Sequence, residues 1–293
     1  MRIAQITIIG TGLIGGSFGL ALKSRGNAPR IIGCDHHNVL AQAKAAGAID
    51  EGFNDPLQAC QGSQVVLLAL PVRGIIEMLE RVGPALSPDT LLTDVGSTKM
   101  DIITHAKAIF GKNAASRFLP GHPMAGKERS GIDQADAELF ENAAWLFTAI
   151  DRKVENPIAE NFKELVRSVG ANPIVMSPER HDELCAFISH LPQMVSTALA
   201  SVVLEFRENF SDPANRDLDL SKIGGRALRE MTRIASSPYS MWGDIAFTNA
   251  KNIEDALLKM ERELASIREN LKTPELRAQF EKAARSASPK PPK

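Results

Sequence analysis

One short glycine-rich segment near the N-terminus, Gly10-Thr11-Gly12-Leu13-Ile14-Gly15, constrains the fold of this chain more than any other. The preceding run, residues 3–9, is apolar and β-branched and predicts a buried strand. The residues that follow predict a helix. A G-x-G-x-x-G segment between a strand and a helix is typical of a Rossmann-like, doubly wound α/β domain that binds a dinucleotide.

Each glycine of this segment has a separate role in that prediction. Gly10 permits the tight turn, Gly12 leaves room for a pyrophosphate, and Gly15 lets the helix pack closely on the strand. The free N–H groups of the first helical turn, at Leu13 and Ile14, would then meet the pyrophosphate. The alternative is an ordinary glycine-rich turn without a ligand.

An acidic residue follows the second predicted strand, residues 30–34. Asp35 lies twenty residues after Gly15, where a carboxylate accepts hydrogen bonds from the ribose hydroxyls of NAD and repels the 2′-phosphate of NADP. The predicted cofactor is therefore NAD, although Asp35 would also suit a helix N-cap. Leu70 and Pro71 end another buried strand, residues 64–70, at the sheet edge where such domains bind their ligands.

Composition excludes several classes of protein. A formal net charge of −1 over 293 residues gives no reason to expect a nucleic-acid partner. No unbroken apolar run reaches membrane-spanning length, so we predict no membrane partner. The three cysteines, Cys34, Cys60 and Cys185, lack C-x-x-C spacing, which argues against disulfides and a zinc site and for a reducing, cytoplasmic location. We predict no metal.

Strand and helix patterns alternate up to residue 176, and helical periodicity dominates afterwards. Ser177 followed by Pro178 begins the first of these helices by its capping pattern. We predict a dinucleotide-binding domain at 1–176, an all-α domain at 177–283 and a disordered tail at 284–293. The long helix at 252–270 carries an apolar stripe that would either dock on its own domain or form a subunit interface.

Two residues of the first domain are candidates for catalysis. His122, in a predicted loop at 120–126, would be a neutral imidazole able to take a hydroxyl proton while hydride leaves the same carbon. Ser97 would orient both the substrate and His122. Each also has a purely structural interpretation: a loop histidine, and a helix cap for Ser97.

Several segments give the chain a resemblance to the prephenate/arogenate dehydrogenase family of tyrosine biosynthesis over nearly its whole length. The resemblance is carried by Gly10-Thr-Gly-Leu-Ile-Gly-Gly-Ser-Phe-Gly19, Asp94-Val-Gly-Ser-Thr-Lys99, Gly121-His-Pro-Met-Ala-Gly126, Glu128, Ser130-Gly131, His181-Asp182, Ile188-Ser-His-Leu-Pro192, Thr232-Arg-Ile-Ala-Ser236 and Met241-Trp-Gly-Asp-Ile245. The first of these segments is shared by many dehydrogenases. The block at 121–131, the Ser-His-Leu-Pro segment at 189–192 and the Thr-Arg-Ile-Ala segment at 232–235 are far more restrictive.

The resemblance implies an NAD-dependent oxidative decarboxylase of prephenate, arogenate or both, working as a homodimer. It implies that His122 accepts the proton of the ring hydroxyl, with Ser97 nearby, and that Arg233 holds the acidic end of the substrate. Ser189 and His190 would line the substrate pocket, although either residue would equally serve helix packing. The helical domain would provide the dimer contact.

One position departs from the family pattern. Gln193 stands where many members carry a second histidine after Leu-Pro, and an amide holds no charge at neutral pH. The choice between the keto acid prephenate and the amino acid arogenate therefore stays open. The alternative function is a β-hydroxy acid or imino acid dehydrogenase of similar architecture, which would carry a lysine base on a C-terminal helix. A further alternative is a non-enzymatic NAD sensor.

Overall fold

A computed structural model describes residues 3–26, 28–151, 156–208 and 223–287. Its N-terminal part is built on a parallel six-stranded sheet of order β3-β2-β1-β4-β5-β6. This order is that of a doubly wound sheet, so the predicted fold class is confirmed. The strands are β1 (Gln5–Ile9), β2 (Arg30–Cys34), β3 (Glu51–Phe53), β4 (Val65–Leu68), β5 (Leu91–Asp94) and β6 (Phe118–Leu119).

Helices cover both faces of this sheet, as its apolar strands require. The helices of the domain are α1 (Leu13–Ser24), α2 (His37–Ala45), α3 (Pro56–Ala59), α4 (Val72–Val82), α5 (Met100–Phe110), α6 (Ala114–Arg117) and α7 (Pro157–Ser168). The buried side chains of α1 and α2 belong to one core cluster, and those of α4 and α5 belong to the other. The central strands β1, β2, β4 and β5 therefore have apolar cover on both sides.

A second, three-stranded sheet was not predicted. It contains β7 (Gly121–Pro123), β8 (Ala144–Thr148) and β9 (Asn172–Met176), with β7 antiparallel and β9 parallel to β8. The prediction of a loop over residues 120–126 is wrong for 121–123, because these residues pair with β8. Trp145 on β8 is fully buried, and its ring packs edge-on against Phe18 of α1, 5.4 Å between centroids. This contact joins the small sheet to the main core.

The C-terminal part is helical, as predicted. It contains α8 (Pro178–Cys185), a wide π-type turn over Ala186–His190, α9 (Leu191–Glu208), α10 (Gly225–Thr232), α11 (Tyr239–Thr248), α12 (Ala250–Glu269) and α13 (Pro274–Ala287). Ser177 caps α8 as its sequence predicts, because its hydroxyl accepts the backbone N–H of Arg180. Arg233 lies in a single 3-10 turn, Arg233–Ser236, directly after α10.

Much apolar surface of the helical part is uncovered within one subunit. The continuous helical run Pro178–Glu208 is, among the described residues, long and apolar enough to cross a membrane by length and composition. Only 17% of its most apolar window is buried, and Val202 and Phe206 are exposed. The sequence prediction missed this run because it counted only unbroken apolar residues. Side chains of this kind require cover from outside the subunit.

The apolar stripe of the predicted 252–270 helix is only partly buried in its own domain, so docking and a subunit interface each account for part of it. Ile253 at its beginning is buried in the domain core, whereas Leu264 and Leu271 near its end are exposed. Docking therefore accounts for the first half only. The chain remains helical to Ala287 in α13, so the disordered tail predicted from 284 is wrong for residues 284–287, and residues 288–293 lie outside the described part.

Candidate active site

The glycine segment forms one wall of a cleft at the carboxyl edge of the main sheet. Gly10 has a φ of +91°, which favours glycine, and a Cβ there would lie 2.3 Å from the carbonyl oxygen of Ala69. A Cβ on Gly15 would lie 2.0 Å from the carbonyl oxygen of Gly10. A Cβ on Gly12 would meet nothing within 4 Å. The protein therefore needs glycine at two of these positions for its own packing, while the free space at Gly12 suits a ligand.

Asp35 is held against the glycine segment. One carboxylate oxygen accepts the backbone N–H of Thr11 at 2.8 Å and the other accepts the N–H of His36 at 2.7 Å. The N-cap of α2 is His36, without a side-chain cap, so the alternative reading of Asp35 as an N-cap does not describe this fold. A carboxylate fixed beside the glycine turn fits the ribose of NAD.

The cleft, of about 360 Å³, brings most of the predicted cofactor residues together. Ser97 lies in it as well, whereas Gly15 lies behind the wall. Opposite the glycine segment, the cleft is closed by the loop at 127–131 and by the start of α11. The sequence-predicted residues that line it are Gly10, Gly12, Leu13, Ile14, Asp35, Leu70, Pro71 and Ser97.

A buried lysine fixes the strand that carries His122. The Lys99 ammonium is fully buried, pairs with the Asp94 carboxylate and donates to the carbonyl of Gly121 at 2.6 Å. The other oxygen of Asp94 accepts the N–H of Gly121 at 3.0 Å. Both backbone groups of Gly121 therefore attach the start of β7 to the end of β5: its N–H directly to Asp94, and its carbonyl through Lys99.

His122 itself is linked to the helical domain by a chain of hydrogen bonds. Its Nδ1 lies 2.9 Å from Nε2 of His181, and Nδ1 of His181 lies 2.8 Å from the Asp182 carboxylate. Because a carboxylate accepts, His181 donates from Nδ1 and accepts at Nε2. His122 then donates from Nδ1. Its Nε2, which has no partner among the described residues, carries the lone pair.

Asp182 also caps the helix that follows Ser97. Its two carboxylate oxygens accept the backbone N–H groups of Lys99 and Met100 at 2.8 and 3.0 Å, at the N-terminus of α5. Ser97 makes no such bond and none to His122, so the predicted cap and the predicted serine–histidine bond are both absent among the described residues. An acid from the other domain has taken the capping position.

Burial keeps these imidazoles neutral. Desolvation first, and then the nearby His181 and Lys99, hold the pKa of His122 well below its usual value. Desolvation also lowers the pKa of His181, against the raising effect of its bond to Asp182. A neutral His122 with a free Nε2 is the protonation state that a general base requires.

Cys185 lies beside the two histidines. Its sulfur is 3.8 Å from Nδ1 of His122 and 3.6 Å from Nε2 of His181. Burial raises the pKa of this thiol to about 12. The three ligand atoms lie within 4.8 Å of one another. The sequence prediction of no metal site considered only cysteine spacing, whereas the fold collects imidazole and thiol groups from distant segments.

The predicted substrate residues of the helical domain fall into different surroundings. His190 is buried, its Nδ1 lies 3.3 Å from the Asn249 amide nitrogen, and its Nε2 has no hydrogen-bond partner within the described part of the chain. Desolvation lowers the pKa of His190 to about 4. Gln193 is buried and donates to the Thr197 hydroxyl at 3.3 Å. Ser189 is half-buried in the π-type turn, a feature frequent at functional sites.

Arg233 lies on the surface beside the cofactor cleft. Its guanidinium is 64% exposed and pairs with Glu128. The two residues line a pocket with Lys127 and Arg129, and these three loop residues, 127–129, also line the cofactor cleft. Arg233 is therefore next to the cleft but is occupied by a carboxylate of the protein.

Sequence reasoning gave no role to His181, Asp182 or Asn249. His181 and Asp182 belong to the segments that carry the family resemblance, but their position in the first half of α8 predicts nothing about their partners. Asn249, the cap residue between α11 and α12, donates to the backbone carbonyl of Asp182 at 2.8 Å and so helps to fix it. Both His181 and Asp182 are buried, and buried polar groups require partners, but the sequence alone does not show that burial.

Comparison with known proteins decides the family. Residues 18–175 match the prephenate dehydrogenase nucleotide-binding domain, and residues 177–283 match the prephenate dehydrogenase dimerization domain. The chain belongs to the prephenate dehydrogenase family. This membership confirms the resemblance found in the sequence, the predicted NAD-dependent dehydrogenase class and the helical dimerization domain.

Individual relatives agree with this assignment. The chain is 34% identical to the prephenate dehydrogenase of Bacillus subtilis over 90% of its own length and 69% of that protein. It is 29% identical to the cyclohexadienyl dehydrogenase of Zymomonas mobilis, covering 84% of this chain and 81% of that protein. The crystal structure of A. aeolicus prephenate dehydrogenase in complex with hydroxyphenyl propionate and NAD+ has a TM-score of 0.85, with 30% identity over 98% of each chain.

The glycine segment yields a matched pair of variants. We expect Gly15→Ala to lower the free energy of unfolding by about 1–3 kcal/mol, because its new methyl group overlaps the Gly10 carbonyl. Gly12→Ala should unfold at the same urea concentration as the wild type but bind NAD at least tenfold more weakly in titration calorimetry. Unchanged NAD affinity in Gly12→Ala would contradict the assignment of this space to the cofactor.

Proposed function

We propose that this protein oxidatively decarboxylates prephenate and arogenate with NAD, and that His122 is the general base. The observation that carries this proposal is the hydrogen-bond chain from His122 through His181 to Asp182, which leaves Nε2 of a neutral imidazole free to accept a proton. The start of β7, which carries His122, lies beside the end of β5. The residues that follow β5, 95–97, line the cofactor cleft. The base and the cofactor cleft therefore share one edge of the sheet.

The reaction requires such a base. The substrates are cyclohexadienes with a hydroxyl at one ring carbon and a carboxylate at the opposite ring carbon. NAD, when bound, accepts the hydride from the hydroxyl-bearing carbon. As hydride leaves, Nε2 of His122 takes the hydroxyl proton and a ring carbonyl forms. Loss of carbon dioxide from the opposite carbon then gives a phenol, and aromatisation makes the step effectively irreversible.

Arg233 is proposed to bind the acidic end of the substrate. A guanidinium is suited to a carboxylate because its fixed N–H groups form paired hydrogen bonds. The existing pair with Glu128 supports this role, since it demonstrates that a carboxylate reaches Arg233 beside the cleft. Substrate binding on this account exchanges one carboxylate partner for another. Ser97 is proposed to orient the ring hydroxyl from the cofactor cleft.

Gln193, Ser189 and His190 are proposed to form the wall of the substrate pocket. The Gln193 amide both donates and accepts hydrogen bonds, so it is compatible with the ammonium of arogenate and with the keto group of prephenate. This property supports activity on both substrates. The unpartnered Nε2 of His190 supports a polar contact at the same wall.

The organisation of the chain is proposed to follow its two halves: a dinucleotide-binding domain at 1–176 and a helical domain at 177–283 that forms a homodimer. The end of β9 at Met176 and the cap at Ser177 support this boundary. The exposed apolar face of α9 supports the dimer. We further propose a soluble, cytoplasmic enzyme, a location supported by three free and buried cysteines.

Replacing the proposed base gives the first test. We expect His122→Asn to lower kcat by about 10²–10⁴-fold with either cyclohexadiene while NAD still binds, because an amide cannot accept the proton. NADH formation followed by absorbance measures the rate. His105→Asn, a change at an exposed histidine on α5, is the control and should keep full activity. Full activity in His122→Asn would contradict the proposal.

The proposed carboxylate contact gives the second test. Arg233→Met should raise KM at least tenfold, because the substrate loses its paired hydrogen bonds, and should leave the dissociation constant for NAD unchanged. Arg226→Met is the matched control, since Arg226 is 86% exposed on the preceding helix and pairs with its neighbour Glu230. Equal KM values for the two variants would rule out Arg233 as the carboxylate site.

A further inference from the structure

Three buried side chains, His122 and His181 of the hydrogen-bond chain and the adjacent Cys185, have the geometry of a metal site. His181 and Cys185 lie four residues apart on α8 and so project from one helix face, and His122 approaches them from β7. The His122 and His181 nitrogens are 2.9 Å apart, and the sulfur lies 3.8 and 3.6 Å from them.

Tetrahedral zinc requires nearly the same triangle. Zinc–nitrogen bonds of about 2.0–2.1 Å and zinc–sulfur bonds of about 2.3 Å place two nitrogens about 3.3 Å apart and a nitrogen and a sulfur about 3.6 Å apart. The observed nitrogen–sulfur distances already agree with these values. The two nitrogens would have to separate by about 0.4 Å, a change within the reach of a small rotation of either ring.

The surroundings of His181 also match those of a zinc ligand. Histidine ligands characteristically donate their second N–H to a carboxylate, which fixes the ring and increases its basicity. Nδ1 of His181 makes this bond to Asp182, and Asp182 is held by the N–H groups of Lys99 and Met100. The ligand atom Nε2 is therefore pointed toward His122 and Cys185 by a rigid support.

We propose that His122, His181 and Cys185 bind a zinc ion, and that zinc bound there stops turnover. Three protein ligands leave the fourth tetrahedral position for water. Thiolate and imidazole ligands select zinc over magnesium, which prefers oxygen. On binding, the Cys185 thiol releases its proton to the buffer. The proton on Nδ1 of His122 moves to Nε2, so the imidazole stays neutral.

The inhibitory part follows from that proton transfer. A His122 ring with zinc on Nδ1 and hydrogen on Nε2 has no lone pair left to accept a substrate proton. This step rests on the proposed role of His122 as the base. Binding of zinc itself rests only on the three ligand atoms. The two parts are therefore tested separately, first without substrate and then during turnover.

The binding test uses chelator-treated full-length protein without substrate. Titration calorimetry with zinc chloride should give one ion per chain at micromolar or lower dissociation constant. Cobalt(II), used as a coloured substitute, should give a near-ultraviolet thiolate absorption band. Cys185→Ser should bind zinc at least tenfold more weakly and lack the band. Cys60→Ser, a change at another buried thiol, is the matched control and should behave as the wild type.

The turnover test measures NADH formation with increasing zinc, each variant being compared with its own metal-free rate. Wild type and Cys60→Ser should lose activity at the zinc concentration that fills the site and recover it with chelator, whereas magnesium should have no effect. Cys185→Ser should need at least tenfold more zinc. Equal zinc affinity for wild type and Cys185→Ser would overturn the site. Stoichiometric binding through Cys185 without inhibition would overturn the inhibitory role and contradict His122 as the base.

Discussion

The carboxylate of Asp182 makes the interaction on which the rest of the site depends. It accepts two backbone N–H groups at the start of α5 and the Nδ1–H of His181, all in a buried environment. Hydrogen bonds to charged groups contribute about 1.5–3 kcal/mol each, and leaving their donors unsatisfied costs a similar amount. Loss of this one side chain would therefore uncap α5, release His181 and remove one of the contacts that join the two domains.

The proposed proton transfer to His122 depends on this contact, because the contact determines which nitrogen of each histidine carries a proton. The acceptor at Asp182 fixes the proton of His181, and His181 in turn fixes the proton of His122. Burial prevents either ring from becoming charged, since it lowers the pKa of both. The proposed base thus depends on both domains: β7 supplies the His122 imidazole, and His181 of α8 fixes the tautomer of that ring. The same arrangement places the Cys185 thiol beside Nδ1 of His122, where the proposed zinc ion would replace the Nδ1 proton.

Local patterns in the sequence predicted the features that depend on neighbouring residues. The glycine segment, the strand before it and Asp35 are where their spacing places them, and the helical character of the second half was evident from its periodicity. The second sheet was not predicted, because β7 is only three residues long and its pairing with β8 is a long-range contact. The loop predicted at 120–126 was therefore wrong for residues 121–123.

Contacts across the chain explain the other differences. The capping pattern predicted Ser97 as the cap of α5. Asp182 takes that place instead, and because it lies 83 residues from Lys99 in sequence, no local pattern indicates it. His122 was identified by its position, but its partner His181 required the fold. The search for unbroken apolar runs did not detect the exposed apolar face of α9, because polar residues interrupt its sequence while the apolar side chains remain exposed.

The most direct test of this account is the tautomer of His122. Long-range ¹⁵N–¹H correlation spectra of histidine-labelled protein at neutral pH distinguish the two neutral forms from the charged form, and His122→Asn identifies the signal by its loss. The account predicts a neutral His122 ring with its proton on Nδ1 and a free Nε2. A proton on Nε2, or a charged ring, would contradict the hydrogen-bond chain to Asp182 as the source of the catalytic base.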